Sequence, residues 1–330
     1  MRARTGDGRF SDTLGVLEAL DARRALVRRR DGSLASVDLG VVVAARTVPP
    51  APPRRLHAST EEVDRAGAAA WPATEQLELG GWLLRASAGF TQRANCAIPL
   101  GESGLSWPDT VAAVLAFYRH RDLAPTVQVV LGSPEDTQLR DEGWVAGGPG
   151  GHVLVRVAAL AEVRARLAAP DQVRGPGRSG LAQVEVQLSE ELVPGWLELY
   201  RGRSPGPVER GVLAGPVPGG QRVLAHVRDP AGAGLLAVGR AAAVGGWLAV
   251  AALTVAPQVR NRGLGSAVLN ALLGWGGGLG IGWVQLQVEA DNEGANRLYS
   301  RLGFSTHHSI AWRRAPTTRA RLADAQTSPR

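Results

Sequence analysis

The sequence predicts a mixed α/β protein (mixed α+β) with a small N-terminal β-barrel followed by two mixed-sheet lobes. Residues 9–48 consist of short apolar stretches with strand-type spacing. After residue 56, strand-type stretches alternate with amphipathic helical ones. Two segments rich in proline, glycine and charge, residues 48–55 and 169–180, divide the chain. We therefore expect a barrel at 1–53, lobes at 54–175 and 176–314, and a disordered polar tail at 315–330.

The composition is that of an ordinary globular protein, with 45% hydrophobic and 20% charged residues. The sequence contains no apolar run long enough to span a membrane, and its first residues lack the apolar core of a secretory signal. Cys96 is the only cysteine, so no intramolecular disulfide can form and a reducing compartment fits. These features predict a cytoplasmic protein.

The net charge of +7 arises from 37 basic residues, all of them arginine, against 30 acidic ones. The arginines are dispersed and few aromatic residues accompany them, so the pattern does not favour nucleic-acid binding. An anionic small molecule accounts for local arginines equally well.

The N-terminal segment is predicted to form strands over residues 13–20, 24–30 and 41–48. Asp31 and Gly32 lie between two apolar stretches, and this dipeptide favours hairpin turns that need a positive φ. About 50 residues with this pattern indicate a small barrel.

The second segment is predicted to contain a hairpin over residues 75–87 and a helix over 107–122 with apolar residues at helical spacing. A buried strand at 126–132, a short helix from Pro134 and a strand at 152–160 follow. The motif "VQVVLG…LRDEGW" in this segment resembles "VQLQVEA…LYSRLGF" in the third, which is compatible with an old duplication.

The third segment is predicted to have the element order β-α-β-β-β-α-β-α-β. Helices are expected to begin near Ser189, Gly263 and Asn292. The strands are expected at 182–189, 222–228, 234–243, 247–255, 283–290 and 307–314.

A turn within "LTVAPQVRNRGLGSAVL" joins an apolar strand to an amphipathic helix. The first N–H groups of a helix lack intrahelical partners and bear a partial positive charge. Gly263 and Gly265 allow a phosphate to approach the backbone, and Arg260 and Arg262 supply charged donors. A turn with glycines for geometry alone is the alternative for these residues in isolation. The context of strand and helix favours a diphosphate site.

The helix within "DNEGANRLYSRLGF" is predicted to present a hydrogen-bonding face beside its apolar face. Asn292, Asn296 and Tyr299 lie within about 60° of one another on a helical projection. Asn292 can alternatively serve only as a helix cap, and Tyr299 can pack at the edge of the core.

These two motifs resemble those of the GNAT superfamily of acyl-CoA-dependent N-acyltransferases. "LTVAPQVRNRGLGSA" is similar to its pyrophosphate loop, and "DNEGANRLYSRLGF" to its following helix. The whole chain resembles a narrower bacterial group, described as N-acetylglutamate-synthase-like or as histone acetyltransferases, which pairs an Src-homology-3-like barrel with a tandem GNAT repeat. The resemblance implies that the first GNAT-like lobe is degenerate and the second complete.

The resemblance also implies roles for individual residues toward acetyl-CoA as co-substrate. Asn292 and Asn296 would bond the pantetheine arm, and Tyr299 would donate a proton to the departing sulfur. The strand would pair with pantetheine and offer an N–H to the thioester oxygen through Leu253, Thr254 and Val255. The turn would hold the diphosphate through Arg260, Asn261, Arg262, Gly263, Leu264, Gly265 and Ser266. No metal is implied.

The general base is the weakest part of this interpretation, because the strand "GWLAVAALTV" has no acidic residue. Glu289, on the strand before the second motif, is the best substitute, although a solvated strand end is an equally simple reading of it. The fallbacks are Asp291, His226, His307 and His308. A water relay would need no dedicated base.

The second segment lacks the R-x-x-G-x-G turn, and Leu139 stands where its echo has Tyr299. We therefore predict that this segment binds no acyl-CoA and supports the active lobe or walls the acceptor site. Arg85, Arg93 and Asn95 are candidates to bind an acceptor carboxylate, with a scaffold role as the simpler alternative for each.

Three functions remain open at this point. The first is an acetyl-CoA-dependent N-acetyltransferase that acts through a ternary complex on a small primary amine, such as the amino acid glutamate. The second is a protein N-terminal or lysine acetyltransferase. The third is a non-catalytic acyl-CoA-binding regulator. A homodimer is compatible with each of them.

Overall fold

The computed structural model describes residues 1–6, 8–29, 33–45, 58–147, 152–168, 185–230, 232 and 234–316. The turn at Asp31 and Gly32, both predicted linkers and the tail from residue 317 lie outside these ranges. The chain forms two compact units, Met1–Pro53 and Arg54–Arg330.

The first unit contains two three-stranded antiparallel sheets around a small core of Ala25, Val27 and Val37. The sheet orders are β2-β1-β6 and β3-β4-β5. The strands are β1 (Arg2–Arg4), β2 (Phe10–Asp12), β3 (Val16–Leu20), β4 (Arg24–Arg28), β5 (Leu34–Asp38) and β6 (Val42–Ala44). Because β4 and β5 pair with Arg28 opposite Leu34, the predicted hairpin is confirmed.

The second unit begins with a helix that was not predicted, α1 (Thr60–Ala70). Its N-cap Ser59 accepts a hydrogen bond from the Glu62 amide at 3.0 Å. The predicted hairpin, helices and strands of this segment are present. The elements that follow are β7 (Glu75–Leu79), β8 (Trp82–Ala86), β9 (Ile98–Pro99), α2 (Trp107–Arg119), β10 (Thr126–Val130), α3 (Pro134–Asp141), β11 (Val145–Gly147), β12 (Val153–Ala159) and α4 (Leu160–Ala168).

The helix predicted near Ser189 begins instead at Trp196, because Pro194 and Gly195 follow the strand and Gly195 adopts a left-handed φ of 84° as the N-cap. A second helix, over residues 207–214, follows it and was not predicted. The predicted strands and the helices predicted near Gly263 and Asn292 are present. The elements of this segment are β13 (Gln187–Ser189), α5 (Trp196–Arg201), α6 (Pro207–Ala214), β14 (Gly220–Arg228), β15 (Leu235–Val244), β16 (Trp247–Val255), α7 (Leu264–Gly278), β17 (Trp283–Glu289), α8 (Glu293–Arg301) and β18 (Ser305–Arg314).

One nine-stranded sheet, in the order β10-β18-β12-β17-β16-β15-β14-β13 with β11 also on β18, runs through the second unit. Strand β12 lies between β17 and β18 and pairs antiparallel with both. Strands from both predicted lobes therefore share one sheet, and the predicted boundary at residue 175 lies within one compact unit. Among the described residues, no helix combines the length and the apolar character needed to cross a bilayer.

Candidate active site

The site forms where two parallel neighbouring strands separate. Strands β16 and β17 pair from Trp247 opposite Trp283 to Val250 opposite Leu286. Beyond that point β16 continues to Val255 on β15, and β17 continues to Glu289 on β12. The facing edges of the two strands are thus left open to a ligand, because a backbone edge without a strand partner offers hydrogen-bonding groups.

A β-bulge lies on the open part of β16. Arg240 on β15 faces Ala251 and Val238 faces Thr254, so Ala252 and Leu253 together oppose Gly239. Ala252 has a φ of 55°, a left-handed value that alanine rarely adopts. Ala252 and Leu253, the two residues of the bulge, both line the cleft.

The turn after β16 leads directly into the start of helix α7. Gly263 is the N-cap of α7 with a φ of 88°, and Asn261 is left-handed at 62°. No side chain caps this helix, and no described residue accepts a hydrogen bond from the amides of residues 264–266. Consecutive free amides at a helix N-terminus bind anions, so the fit to a diphosphate is good. Arg260, whose Nε donates to the Val255 carbonyl at 3.3 Å, adds charge beside them.

An open cleft of about 930 Å³ follows the separated strands. The predicted coenzyme-binding and catalytic residues that line it are Leu253, Thr254, Arg260, Glu289, Asn292 and Tyr299, and the acceptor candidate Arg93 lines it as well. The other predicted coenzyme-binding residues lie outside its lining and are Val255, Asn261, Arg262, Gly263, Leu264, Gly265, Ser266 and Asn296. Most of this second group belongs to the turn and helix start that directly follow β16.

The two predicted asparagines differ in what their side chains contact. Asn292 caps α8 by accepting from the Ala295 amide at 3.1 Å, and its Nδ2 is left without a described acceptor. Asn296 donates to the carbonyls of Glu289 at 3.0 Å and Ala290 at 3.2 Å, and its Oδ1 accepts from Arg156. Asn296 therefore ties α8 to the end of β17, whereas Asn292 has a donor free for a ligand.

Arg156 on β12 fixes the position of α8, a role that the sequence analysis did not identify. Its guanidinium donates to the Asn296 and Phe304 carbonyls at 3.1 and 2.7 Å and to the Ser300 hydroxyl at 2.8 Å. Burial lowers the pKa of Arg156, and the nearby Tyr299 acts in the opposite direction. The residue is 140 positions from Asn296 along the chain, so only the sheet reveals this link.

Tyr299 is buried beside the cleft, with only 8% of its surface exposed. Its ring packs edge-on against Phe304 at 5.5 Å. No described residue hydrogen-bonds its hydroxyl. Burial raises the pKa of Tyr299 to about 12, and Arg156 partly opposes this. The phenol is therefore neutral at physiological pH and can donate a hydrogen bond into the cleft.

The candidate bases are in less favourable positions. Glu289 lines the cleft but is exposed at the end of β17, and Asp291 is exposed in the next turn. His226 is buried on β14, where its Nε2 lies 2.9 Å from the Gln187 side chain. Of these three side chains, only that of Glu289 lines the cleft.

His307 and His308 contact each other and not the cleft. Their Nδ1 atoms are 2.8 Å apart, and His308 Nε2 lies 3.2 Å from Asp64 Oδ1. The Nε2 of His307 faces the Ala58 carbonyl at 2.8 Å. The two imidazoles thus join β18 to α1.

Gln287 is a cleft residue that sequence reasoning missed. It follows Leu286, the last residue of β17 paired with β16, and its Oε1 is buried without a described partner. The sequence signal that could have identified it is a polar residue within a strand that is otherwise mostly buried.

The loop of residues 87–95 also lines the cleft, through residues 89–93, and it carries Arg93 and Asn95, two of the predicted acceptor ligands. Asn95 organises it, with Oδ1 accepting from the Ser87 and Gly89 amides at 2.8 and 3.0 Å. Its Nδ2 donates to the Phe90 and Thr91 carbonyls at 2.9 and 2.7 Å. All four hydrogen bonds of this amide are thereby used, so Asn95 is a scaffold residue and cannot also bind an acceptor.

Among the described residues, no group of histidine, cysteine and acidic side chains is arranged to hold a metal ion.

The model of the family "Probable histone acetyltransferase Rv0428c C-terminal" matches residues 58–313. The probable histone acetyltransferase Rv0428c of Mycobacterium tuberculosis (strain ATCC 25618 / H37Rv) is 31% identical over 307 residues, which cover 91% of this chain and 87% of that protein. A GCN5-related N-acetyltransferase from Kribbella flavida superposes with a TM-score of 0.52 and 16% identity, over 82% of this chain and 97% of that chain. This last similarity shows a shared fold.

Proposed function

Because this chain belongs to the Rv0428c C-terminal family and has the GNAT fold, it is an acyltransferase, and we propose that it moves an acetyl group from acetyl-CoA to a primary amine. The acceptor in this proposal is a small molecule or amino acid, such as glutamate. The observation that carries the proposal is the separation of β16 and β17 directly before a helix with unpartnered N-terminal amides.

The binding roles follow from the chemistry of the two motifs. The amides of residues 264–266 and the Arg260 guanidinium suit a diphosphate, because both donate to anionic oxygens. The open edge of β16 suits the two amides of a pantetheine arm, which can pair with it as an added strand would. Asn292 lines the same cleft, and its Nδ2 can donate to a pantetheine carbonyl.

Acetyl-CoA would supply the acetyl group as a thioester. The amine nitrogen forms a bond to the acetyl carbon, the carbon–sulfur bond breaks, the amine loses a proton and the sulfur gains one. A backbone N–H of the β16 bulge would stabilise the thioester oxygen as negative charge develops there. Tyr299 would donate to the sulfur from the wall formed by α8.

Glu289 is the proposed base because it is the acidic side chain that lines the cleft in the described part of the chain. Its exposure favours a relay through water over direct contact with the amine. A reaction in which the acceptor arrives neutral would leave Glu289→Gln with nearly unchanged activity at high pH. A dedicated base would instead produce a loss at every pH, and a pH–rate profile distinguishes the two cases.

Two other functions are alternatives to this proposal. The name of the M. tuberculosis relative favours a protein acceptor. A non-catalytic acyl-CoA-binding regulator is the second alternative.

The experiment measures free CoA release with amino acids, polyamines, and peptides that have a free N-terminus or lysines. Release that depends on a small amine supports the proposal. Release with peptides alone supports a protein acetyltransferase, and acetyl-CoA binding without release above hydrolysis would leave only the regulator.

A further inference from the structure

The lining of the cleft carries an excess of positive charge. In the described part of the chain, the charged residues of its lining are four arginines and one glutamate. Arg203 is paired with the buried Glu209, and Arg260 belongs to the coenzyme side. Arg93 and Arg201 remain, and neither forms an ion pair with a described carboxylate.

Arg93 lies on the loop that Asn95 organises. Its guanidinium stacks on the Trp71 ring, 5.0 Å from the ring centroid, and no described group accepts a hydrogen bond from it. The side chain is half-buried. A stacked guanidinium is held in one orientation while its N–H groups remain available, and this arrangement suits recognition of a planar anion.

Two further arginines lie behind Arg93 but are already used. Arg240 donates to the Leu213 carbonyl at 2.9 Å and the Ala70 carbonyl at 2.6 Å, and its guanidinium is 5.0 Å from the same Trp71 ring. Arg85 donates to the Ala68 carbonyl at 3.4 Å. Both neutralise the C-terminal carbonyls of α1, where cations are stabilising. Both act as scaffold residues through these bonds, whereas no described group accepts a hydrogen bond from Arg93.

A second, smaller cavity of about 30 Å³ adjoins the cleft at this point. Arg93 and Gln287 line both spaces, and Arg85 and Arg240 line the inner one. Three atoms at these residues are buried without described partners, namely Arg85 Nε, one terminal nitrogen of Arg240, and Gln287 Oε1. Such atoms are uncommon in folded proteins and indicate a missing ligand or water.

The electrostatic surroundings of Arg93 disfavour its positive charge when the cleft is empty. Burial lowers the pKa of Arg93, and Arg85 and Arg201 act in the same direction, while Tyr200 opposes them. Burial likewise lowers the pKa of Arg240 to about 9. An anion bound here would offset the repulsion among these like charges.

We propose that the acetyl acceptor is an amine that carries a carboxylate, and that Arg93, with Arg201 at the cleft wall, binds this carboxylate. The inference rests on the proposed function and specifies the class of its substrate. A bidentate contact from Arg93 would hold the acceptor opposite the separated strands. Polyamines and lysine-rich peptide tails are disfavoured, because their positive charges would meet Arg93 and Arg201 without a counterion.

The test compares pairs of acceptors in which one carboxylate is replaced by an amide, using the full-length chain. L-Glutamate is paired with L-glutamine and glycine with glycinamide, and spermidine and a lysine-rich peptide serve as cationic acceptors. We expect kcat/KM to be higher for at least one carboxylate acceptor than for its amide by about 10- to 100-fold, the range for hydrogen bonds to charged groups. The Arg93→Gln variant should lose this preference while its acetyl-CoA Kd stays unchanged.

Arg260→Gln is the matched control, because it removes one positive charge from the coenzyme side of the same cleft. It should weaken acetyl-CoA binding and leave the carboxylate-to-amide ratio intact. Arg201→Gln alters an exposed side chain and should lower the same ratio even if Arg93→Gln fails to fold. Arg93→Lys keeps the positive charge but lacks the planar guanidinium that can donate two parallel hydrogen bonds. It should therefore retain only part of the preference for carboxylate acceptors.

The outcomes separate this inference from the function it rests on. Acetyl transfer to spermidine or lysine peptides that equals or exceeds transfer to every carboxylate acceptor would overturn the inference and leave an acetyltransferase. An unchanged preference in both Arg93→Gln and Arg201→Gln would also overturn it. Absence of CoA release with every acceptor would instead overturn the proposed function.

Discussion

Tyr299 illustrates how a single side chain is tuned by its position in the fold. Its pKa of about 12 stands well above the ordinary value of about 8.5 for a thiol. Full transfer of the phenolic proton to a free thiolate would therefore be uphill by roughly 5 kcal/mol. We infer that Tyr299 stabilises the departing sulfur mainly through a hydrogen bond, and that the proton comes finally from solvent.

Replacing Tyr299 by phenylalanine should lower kcat by about 10- to 100-fold, the value of one hydrogen bond to a developing charge. The KM for acetyl-CoA should change little, because the ring contact with Phe304 is retained. Steady-state kinetics across pH 7–10 is the measurement. Since the raised pKa keeps the phenol neutral over this range, Tyr299 should cause no alkaline decline in the wild type. Turnover equal to wild type would remove Tyr299 from the reaction.

The proposed diphosphate site can also be tested at single residues, namely Arg260 and Arg262. Replacing both by alanine should raise the acetyl-CoA Kd by about 10- to 100-fold at low salt, because charge-assisted hydrogen bonds are lost. The difference should shrink as salt screens the exposed charges. Arg119→Ala with Arg228→Ala removes the same charge from exposed positions outside the cleft and is the control. Calorimetric titration that gives equal Kd values for both double variants would refute the placement.

At the scale of elements, strong local patterns were predictable and long-range contacts were not. The strand at residues 247–255 has its predicted bounds, since a mainly apolar run ends just before Pro257. Helix α1 was missed because its face is made largely of alanines, which give a weak amphipathic signal, although Ser59 and Glu62 form a start signal. The diphosphate turn could be read from adjacent residues. Arg156 could not, because folding brings it to α8 from a distant strand. Arg93 was predicted only as one of three candidates for an acceptor carboxylate.

Helix α7 permits a test of packing within one element. A methyl group at Gly274 would contact nothing within 4 Å, whereas one at Gly276 would lie 2.8 Å from two Leu248 methyl carbons. Gly274→Ala should therefore stabilise the protein by up to about 1 kcal/mol through helix propensity. Gly276→Ala should destabilise it by about 1 kcal/mol, because Leu248 is fully buried and cannot move freely.

Urea unfolding of the two variants, monitored by circular dichroism, measures the difference. The two substitutions share the same helix and the same change in composition, so each controls for the other. Equal midpoints would show that α7 does not pack on β16 as described.

At the scale of the whole molecule, β12 joins the two predicted lobes. It pairs with β17 from Val153 opposite Glu289 to Ala159 opposite Trp283, and with β18 on its other edge. Its inward residues Val155 and Val157 pack with tryptophans of β16, β17 and β18. The strands that border the cleft therefore depend on a strand from the N-terminal half of the second unit.

A divided chain tests this dependence. Residues 176–330 expressed alone should show no cooperative unfolding and no acetyl-CoA binding, because β17 loses one hydrogen-bonded edge and β18 loses its neighbours β10, β11 and β12. Supplying residues 54–175 as a second chain should restore both properties. Residues 54–330 as one chain are the matched control and should fold and bind, since all residues lining the cleft lie within them. If residues 176–330 alone bound acetyl-CoA with the Kd of the full chain, the shared sheet would not be what holds the separated strands in place.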